Sequence, residues 1–236
     1  MRLTFRPLPV FTAVFAVLFA ALMALGVWQL QRLHWKLGLI AEANNALHAP
    51  PTSLAAALKL GPAAQYRHVI LNGRFLNAKE AYVYSTGPDG EPVYHVLVPF
   101  ETDEGIAVIV DRGIVPPDRI VPARHSELEG ERRVVGVWRT PDPPGLFTPA
   151  PDLKHRVWYS RNVEGIAAAS GIKLTAPVLV EADAAPNPGG WPLGGQTVVT
   201  FRNDHLQYAI TWFLLGAGLM GVYIAYHVSR GRLSWR

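Results

Sequence analysis

No cysteine occurs anywhere in the 236 residues. That excludes disulfides, thiolate metal sites, cysteine nucleophiles and covalent c-type haem attachment, and it suits an exported domain. Other signatures are missing as well. None of the eight histidines form an i, i+3 or i, i+4 pair, and there is no HExxH zinc motif. Also absent are a G-x-S-x-G elbow, a glycine-rich nucleotide fingerprint, a close pair of carboxylates beyond ordinary solvated acids and any internal repeat. The glycine- and proline-rich stretch Asn187–Gly195 has no lysine in phosphate-loop position and no following helix, so it is a loop and not a phosphate cradle. No catalytic constellation emerges.

Acidic residues are missing from both flanks: all eighteen lie between Glu42 and Asp204. The same stretch holds fifteen basic residues, so it is net −3 although the whole chain is +4. The other seven basic residues, Arg2, Arg6, Arg32, Lys36, Arg230, Arg232 and Arg236, border hydrophobic runs. A nucleic-acid binder concentrates positive charge on its folded domain. Here the basic balance marks a membrane and argues against nucleic acid.

Two apolar runs are present. Val10–Trp28 is nineteen residues long without a charge, with Thr12 its single polar side chain. At about 1.5 Å per residue it crosses roughly the 30 Å of a bilayer core. Leu206–Ser229 also carries no formal charge. Arg2 and Arg6 before the first run, and Arg230, Arg232 and Arg236 after the second, predict that both termini are cytoplasmic and the middle lies outside. Ala24-Leu25-Gly26 resembles a signal-peptide cleavage site. The length of the run and helical patterning through Leu30, Leu33, Leu37 and Ile40 favour a retained span. Ala16, Ala20 and Ala24, and again Ala217, Gly221 and Ala225, repeat every four positions. Such stripes pack helices in lipid or reflect the general abundance of small residues there.

The middle carries many turns, in keeping with twenty prolines and twenty-one glycines. Period-2 and β-branched runs predict strands at Tyr66–Phe75, Ala81–Ser85, Val93–Phe100, Ile106–Gly113, Arg132–Arg139, Val157–Tyr159, Pro177–Glu181 and Thr197–Phe201. Turn chemistry falls at Gly87–Gly90, Asp103–Gly105 and Glu129-Gly130. Short helices are predicted from about Ser53 to Lys59, and over Val163–Ala169 between Ser160 or Asn162 and Gly171. The expected class is therefore an α+β membrane protein. Its two transmembrane helices flank one mostly antiparallel β domain, barrel-like or sandwiched, with two short helices.

Chemistry gathers at the outer membrane boundary. His205 opens the second run behind the capping candidates Asn203 and Asp204, with Tyr208 and Trp212 at i+3 and i+7. Trp28, His34 and Trp35 should lie opposite if the spans are antiparallel neighbours. Two readings fit: an axial ligand for haem iron, or an interfacial histidine within an ordinary aromatic belt. Asp111-Arg112 at a strand end has a catalytic reading, against the commoner ones of a structural ion pair or turn anchor. A tethered hydrolase-like enzyme would instead need a buried cluster such as His68, His95 and Asp111.

Specific motifs then match a known family. Leu25–Lys36 (LGVWQLQRLHWK) resembles the first-span signature of the surfeit locus protein 1 family, called Shy in yeast. Gly73-Arg74-Phe75, Pro99 and Val110-Asp111-Arg112-Gly113 resemble its middle blocks, and Asn203–Phe213 (NDHLQYAITWF) its second-span block. Ile114 departs from the tryptophan usual after Arg-Gly. The resemblance implies a non-catalytic assembly factor for cytochrome c oxidase in a bacterial inner membrane. Its partners would be subunit I, other assembly factors and membrane lipid, and its transient cofactor haem a. It makes His205 the candidate ligand, with Tyr208 and Trp212 beside it, and makes Trp28, Gln29, Arg32, Trp35 and Lys36 membrane-interface anchors. A purely structural accessory subunit of a respiratory complex is the remaining alternative. The expected layout is a tail over 1–9, a span over 10–30 continuing as helix to about 46, a periplasmic β-rich domain over 47–204, a span over 205–228 and a tail over 229–236.

Overall fold

A computed structural model describes residues 3–87, 89–121, 125 and 127–235. The chain forms two compact units, one from the segment up to Glu42 together with that from Thr200 onward, the other from Ala43–Val199.

The first unit is helical. Helix α1, Pro9–His48, starts on a proline whose missing N–H costs nothing at the first helical position and runs unbroken for 40 residues until Pro50-Pro51. At 1.5 Å per residue that is about 60 Å, twice a bilayer core. It pairs antiparallel with a second long helix, His205–Ser229. Both have the length and apolarity to cross a membrane, their most apolar 18-residue stretches having mean hydropathies of 2.6 and 1.6. The register follows from side chains along the pair. A Cβ on Gly26 would meet the Phe213 ring at 2.5 Å, and one on Gly216 would meet Met23 at 2.3 Å. Phe15 stacks on Tyr223 at 4.1 Å, and the Thr12 and Tyr223 hydroxyls are 2.8 Å apart. The flanks, expected as tails, pair as a short antiparallel ribbon in which β1, Leu3–Phe5, aligns with Leu233–Trp235. The two alanine and glycine stripes do not make this contact. Ala16, Ala20, Ala24, Ala217, Gly221 and Ala225 are all exposed, and Gly221 has no neighbour within 4 Å of a built Cβ.

The second unit is β-rich. Its strands are β2, Thr52–Ser53; β3, His68–Phe75; β4, Ala81–Thr86; β5, Pro92–Thr102; β6, Ala107–Val115; β7, Arg132–Arg139; β8, Val157–Trp158; and β9, Leu179–Ala182. The sheet order is β2-β3-β7-β9-β6-β5-β4-β8, and a further β3–β5 pairing closes five strands into a barrel. The pairings are mostly antiparallel, with β2–β3, β6–β9 and β4–β8 parallel. The last two strands of the unit are joined by α3, Val163–Ser170, and β2 is followed by α2, Leu54–Leu60. The Ser53 hydroxyl caps α2, Asn162 caps α3, and Gly171 ends α3 in the left-handed conformation. The final strand of the chain, Leu233–Trp235, is β10, and the helix before it is α4.

Strand alternation sorts side chains into two faces. Val69, Leu71, Val96, Val98, Phe100, Val108, Val110 and Val180 fill the barrel with Leu54 and Ala57 of α2. Leu97, Ile109 and Leu179 point outward, under Val163 and Ile166 of α3. Tyr66, expected in β3, instead takes φ 67 and leaves that strand to begin at His68. Thr197–Phe201, expected as a strand, has no ladder partner. Both edges of β9 are already taken by β6 and β7, and Thr197 reaches β9 through its side chain alone. The Gly87–Gly90 turn closes through a Gly90 N–H donated to the Gly87 carbonyl (3.0 Å), with Pro88 outside the described residues.

Two motif glycines have steric reasons. Gly73 belongs to the β7 and β5 ladders at once, where the barrel closes, and a Cβ there would lie 2.1 Å from the Glu101 carbonyl. At Gly113, φ 116, a Cβ would lie 1.9 Å from the Leu193 carbonyl. That same carbonyl accepts the Ile114 N–H at 3.0 Å. The departure at Ile114 is thus absorbed, because the block is held through backbone. Asp111 and Arg112 do not pair with each other. Asp111 accepts the Gly113 N–H at 2.9 Å, whereas Arg112 reaches Asn187 at 3.1 Å and lies 5.4 Å from the Phe75 ring, its pKa lowered by burial.

A buried polar cluster not foreseen from sequence joins Glu80, Tyr82 and His125. The Tyr82 hydroxyl donates to Glu80 in a short bond and lies 3.2 Å from His125 Nε2. Burial first, then the Glu80 contact, pushes the Tyr82 phenol far above its ordinary value. This stabilisation is complete below about pH 10, the ordinary value, and declines above it as the unfolded chain ionises its tyrosine. Tyr82→Phe should lower stability by about 1–3 kcal/mol at neutral pH and flatten the fall of Tm above pH 10, as read by thermal scans across pH. Gly73→Ala should cost roughly 2–4 kcal/mol, read by denaturation of the full chain in detergent.

Candidate functional site

His205 is the first residue of α4 and is half-buried against α1. Its Nδ1 lies 2.7 Å from Gln29 Oε1. Gln29 is the first strongly polar residue after the apolar run of α1, and it is only 9% exposed. An amide oxygen accepts, so His205 Nδ1 carries the hydrogen and its Nε2 keeps a lone pair. Metal-binding histidines have this arrangement: one ring nitrogen donates to a fixed acceptor, which sets tautomer and ring angle, and leaves the other to ligate.

The neighbours fall out as follows. Trp212 is partly buried on the face of His205, and its indole Nε1 is buried without a hydrogen-bond partner among the described residues. The Asn203 Oδ1 just before the helix is buried and unpartnered in the same way. Tyr208 points away and is 53% exposed. Asp204 stands at the N-cap position, but its carboxylate pairs with Arg202 and caps nothing. Trp28, His34 and Trp35, expected opposite His205, are exposed. His34 donates to the Leu30 carbonyl of its own helix at 2.8 Å, and Arg32 covers the Trp35 ring at 4.2 Å. Lys36 is half-buried. Gln29, expected among the surface anchors, is instead the residue that faces His205. Its sequence signal was its place one turn after Gly26, a small residue that lets the Phe213 ring of the other helix come close.

A second polar cluster lies in the β unit. His95 Nδ1 is 2.8 Å from Asp111, and both are buried. A β-bulge between His95 and Leu97 shifts the register and aims the imidazole at this row. Arg161, just before α3, donates to Glu181 (2.8 Å) and reaches His95 Nε2 (3.1 Å). Asp111 and Glu181 are register partners on β6 and β9, so they share a face. His68 does not join them; it pairs with Asp183 at 3.1 Å. Sequence reasoning missed Arg161 and Glu181. Their one signal is that Glu181 continues the outward alternation of Leu179.

Two long apolar helices in antiparallel contact and a closed β unit define the class: an α+β protein with two candidate membrane-spanning helices. The family model for SURF1 proteins matches residues 16–217. The Surfeit locus protein 1 of Takifugu rubripes is 32% identical over 229 residues, covering 89% of this chain and 94% of that protein. Those of Rattus norvegicus and Homo sapiens are 34% and 33% identical over 215 and 214 residues, each covered over 69% of its length and covering 84% and 82% of this chain. The chain belongs to the SURF1 family.

Replacing Gln29 by Ala should release His205 from one tautomer, seen as a change in its imidazole ¹⁵N shifts. It should also destabilise the helix pair by about 1–2 kcal/mol.

Proposed function

We propose that this protein is a non-catalytic assembly factor for aa3-type cytochrome c oxidase and holds haem a in transit to subunit I. The observation that carries this reading is the bond from His205 Nδ1 to a buried Gln29. It turns an ordinary boundary histidine into an oriented one with Nε2 available. His205 would hold haem iron through that nitrogen. The unpartnered Trp212 Nε1 and Asn203 Oδ1 are a donor and an acceptor that polar substituents of a bound ring would satisfy. The residue types fit the group: one imidazole, one orienting amide and an apolar helix surface. A single neutral ligand also suits a carrier, which must release what it holds.

The basic flanks support cytoplasmic termini in a bacterial inner membrane, with the β unit on the far side. Arg32 with Trp35, and Lys36, sit one to two turns past the apolar run, where they would meet lipid headgroups. Subunit I and other assembly factors are the proposed partners.

The hydrolase-like alternative draws on His95 and Asp111, which do meet. Both ring nitrogens of His95 are engaged, however, one by Asp111 and the other by Arg161. That leaves no free nitrogen for a general base.

Haem a added to the purified full chain should give a shifted absorption spectrum that His205→Ala loses and Gln29→Ala weakens. Identical spectra for wild type and His205→Ala would overturn the ligand assignment and favour a purely structural accessory subunit. A deletion strain should lose the haem absorbance of its oxidase; normal absorbance would remove the assembly role.

A further inference from the structure

A cavity of about 410 Å³ opens beside the His95–Asp111 row, entirely within the β unit. That volume lies in the range of small-molecule sites. Its polar wall is formed by Arg139, Arg161, His95, Glu181, Ser85 and Thr86.

The carboxylates around this cavity are occupied. Glu181 Oε1 takes Arg161 at 2.8 Å and Oε2 takes the Thr197 hydroxyl at 2.7 Å. Behind it, Asp111 takes His95 and the Gly113 N–H. The donors are not all engaged. The Arg139 side chain makes no hydrogen bond among the described residues. Its Nε is buried without a partner, 3.6 Å from Glu181 and outside hydrogen-bond reach, and its guanidinium is held 5.1 Å from the Tyr66 ring. The Ser85 and Thr86 hydroxyls are likewise unpaired among the described residues. A guanidinium with unused donors, which can only donate, selects a ligand that brings acceptors. Arg161 is shared between Glu181 at 2.8 Å and Asp111 at 3.9 Å, so Arg139 is the guanidinium without a close carboxylate, which a single negative charge would supply. Val93, Ile114 and Val198 supply an apolar side.

We infer that this cavity binds a small organic monocarboxylate, its carboxylate on Arg139 and its short apolar body along Val93, Ile114 and Val198. The site is separate from His205 and does not depend on the haem reading.

Calorimetric titration of the full chain in detergent, with sodium butyrate as the probe and sodium chloride as the matched blank, tests it. Butyrate should bind in the wild type, and Arg139→Gln should weaken it about tenfold or more. Val198→Trp, a change at an exposed rim position that touches none of the ion pairs, should abolish binding even if Arg139→Gln perturbs folding. Arg74→Gln, which removes an exposed pair with Glu101, should leave binding intact. No butyrate heat in the wild type, or heat retained in Val198→Trp, overturns the site. Inorganic phosphate binding as tightly as butyrate overturns the carboxylate assignment.

Discussion

The contact between α1 and α4 must be specified without help from water. Lipid tails are as apolar as leucine, so helices in a bilayer gain little from hiding apolar surface from each other. Close packing and a few polar contacts decide the register instead. Here the packing comes from Gly26 under Phe213 and Gly216 under Met23, and polar contacts stand near both ends: Thr12 with Tyr223, and Gln29 with His205. Each such contact contributes on the order of 1 kcal/mol in a membrane. Their value lies in direction more than in strength. A slide of one turn would bring Phe213 onto a side chain and separate both polar pairs, so the register that packs best is also the one that orients His205.

The β unit meets a related constraint by different means. Alternation along β6 sends Val110 and Arg112 to the barrel side and Ile109 and Asp111 outward. Two adjacent ionic residues therefore cannot neutralise one another, and each recruits partners from elsewhere. Arg112 finds Asn187 and the Phe75 ring, and Asp111 finds His95. Outside the barrel the same face changes character along its length. Under α3 it is Leu97, Ile109 and Leu179; one register step further it is Asp111 and Glu181. The helix covers the apolar part and stops, and Arg161 at its head bridges the ionic part. The cavity follows from that change of cover.

Much of this was legible in advance because period and length leave little freedom. Nineteen uncharged residues need a membrane-length helix, and Arg132–Arg139 reads as a strand with the bounds it has. Asn162 and Gly171 bracket α3 as capping chemistry demands. What was not legible depended on contacts distant in the chain. Gln29 and His205 are 176 residues apart, so the glutamine looked like one more boundary residue. The Thr197 stretch had strand-like residues, yet pairing needs a free edge, and β9 offers none. The small-residue stripes had suitable spacing but lie on the wrong faces, since spacing fixes which residues share a face and not which face meets the partner. Mixed parallel and antiparallel order likewise arises from closure, which no local pattern encodes.

The two histidines of α4 show why position, and not residue type, decides which can act. His227 also donates through Nδ1, but to the Tyr223 carbonyl of its own helix at 2.9 Å, and its Nε2 is left without a partner. By lone-pair availability it would equal His205. It is, however, fully buried among Phe5, Phe11, Tyr223 and Tyr226, with ring centroids 4.2–5.9 Å away. Nothing reaches that nitrogen unless the aromatic cage opens. A bond within one helix also carries no information about the other. His205 is half-buried, and its orientation is set by a residue on the opposite helix. The orientation of its free nitrogen therefore depends on the pair being assembled, and a chain with its helices apart would lose that orientation while keeping the histidine.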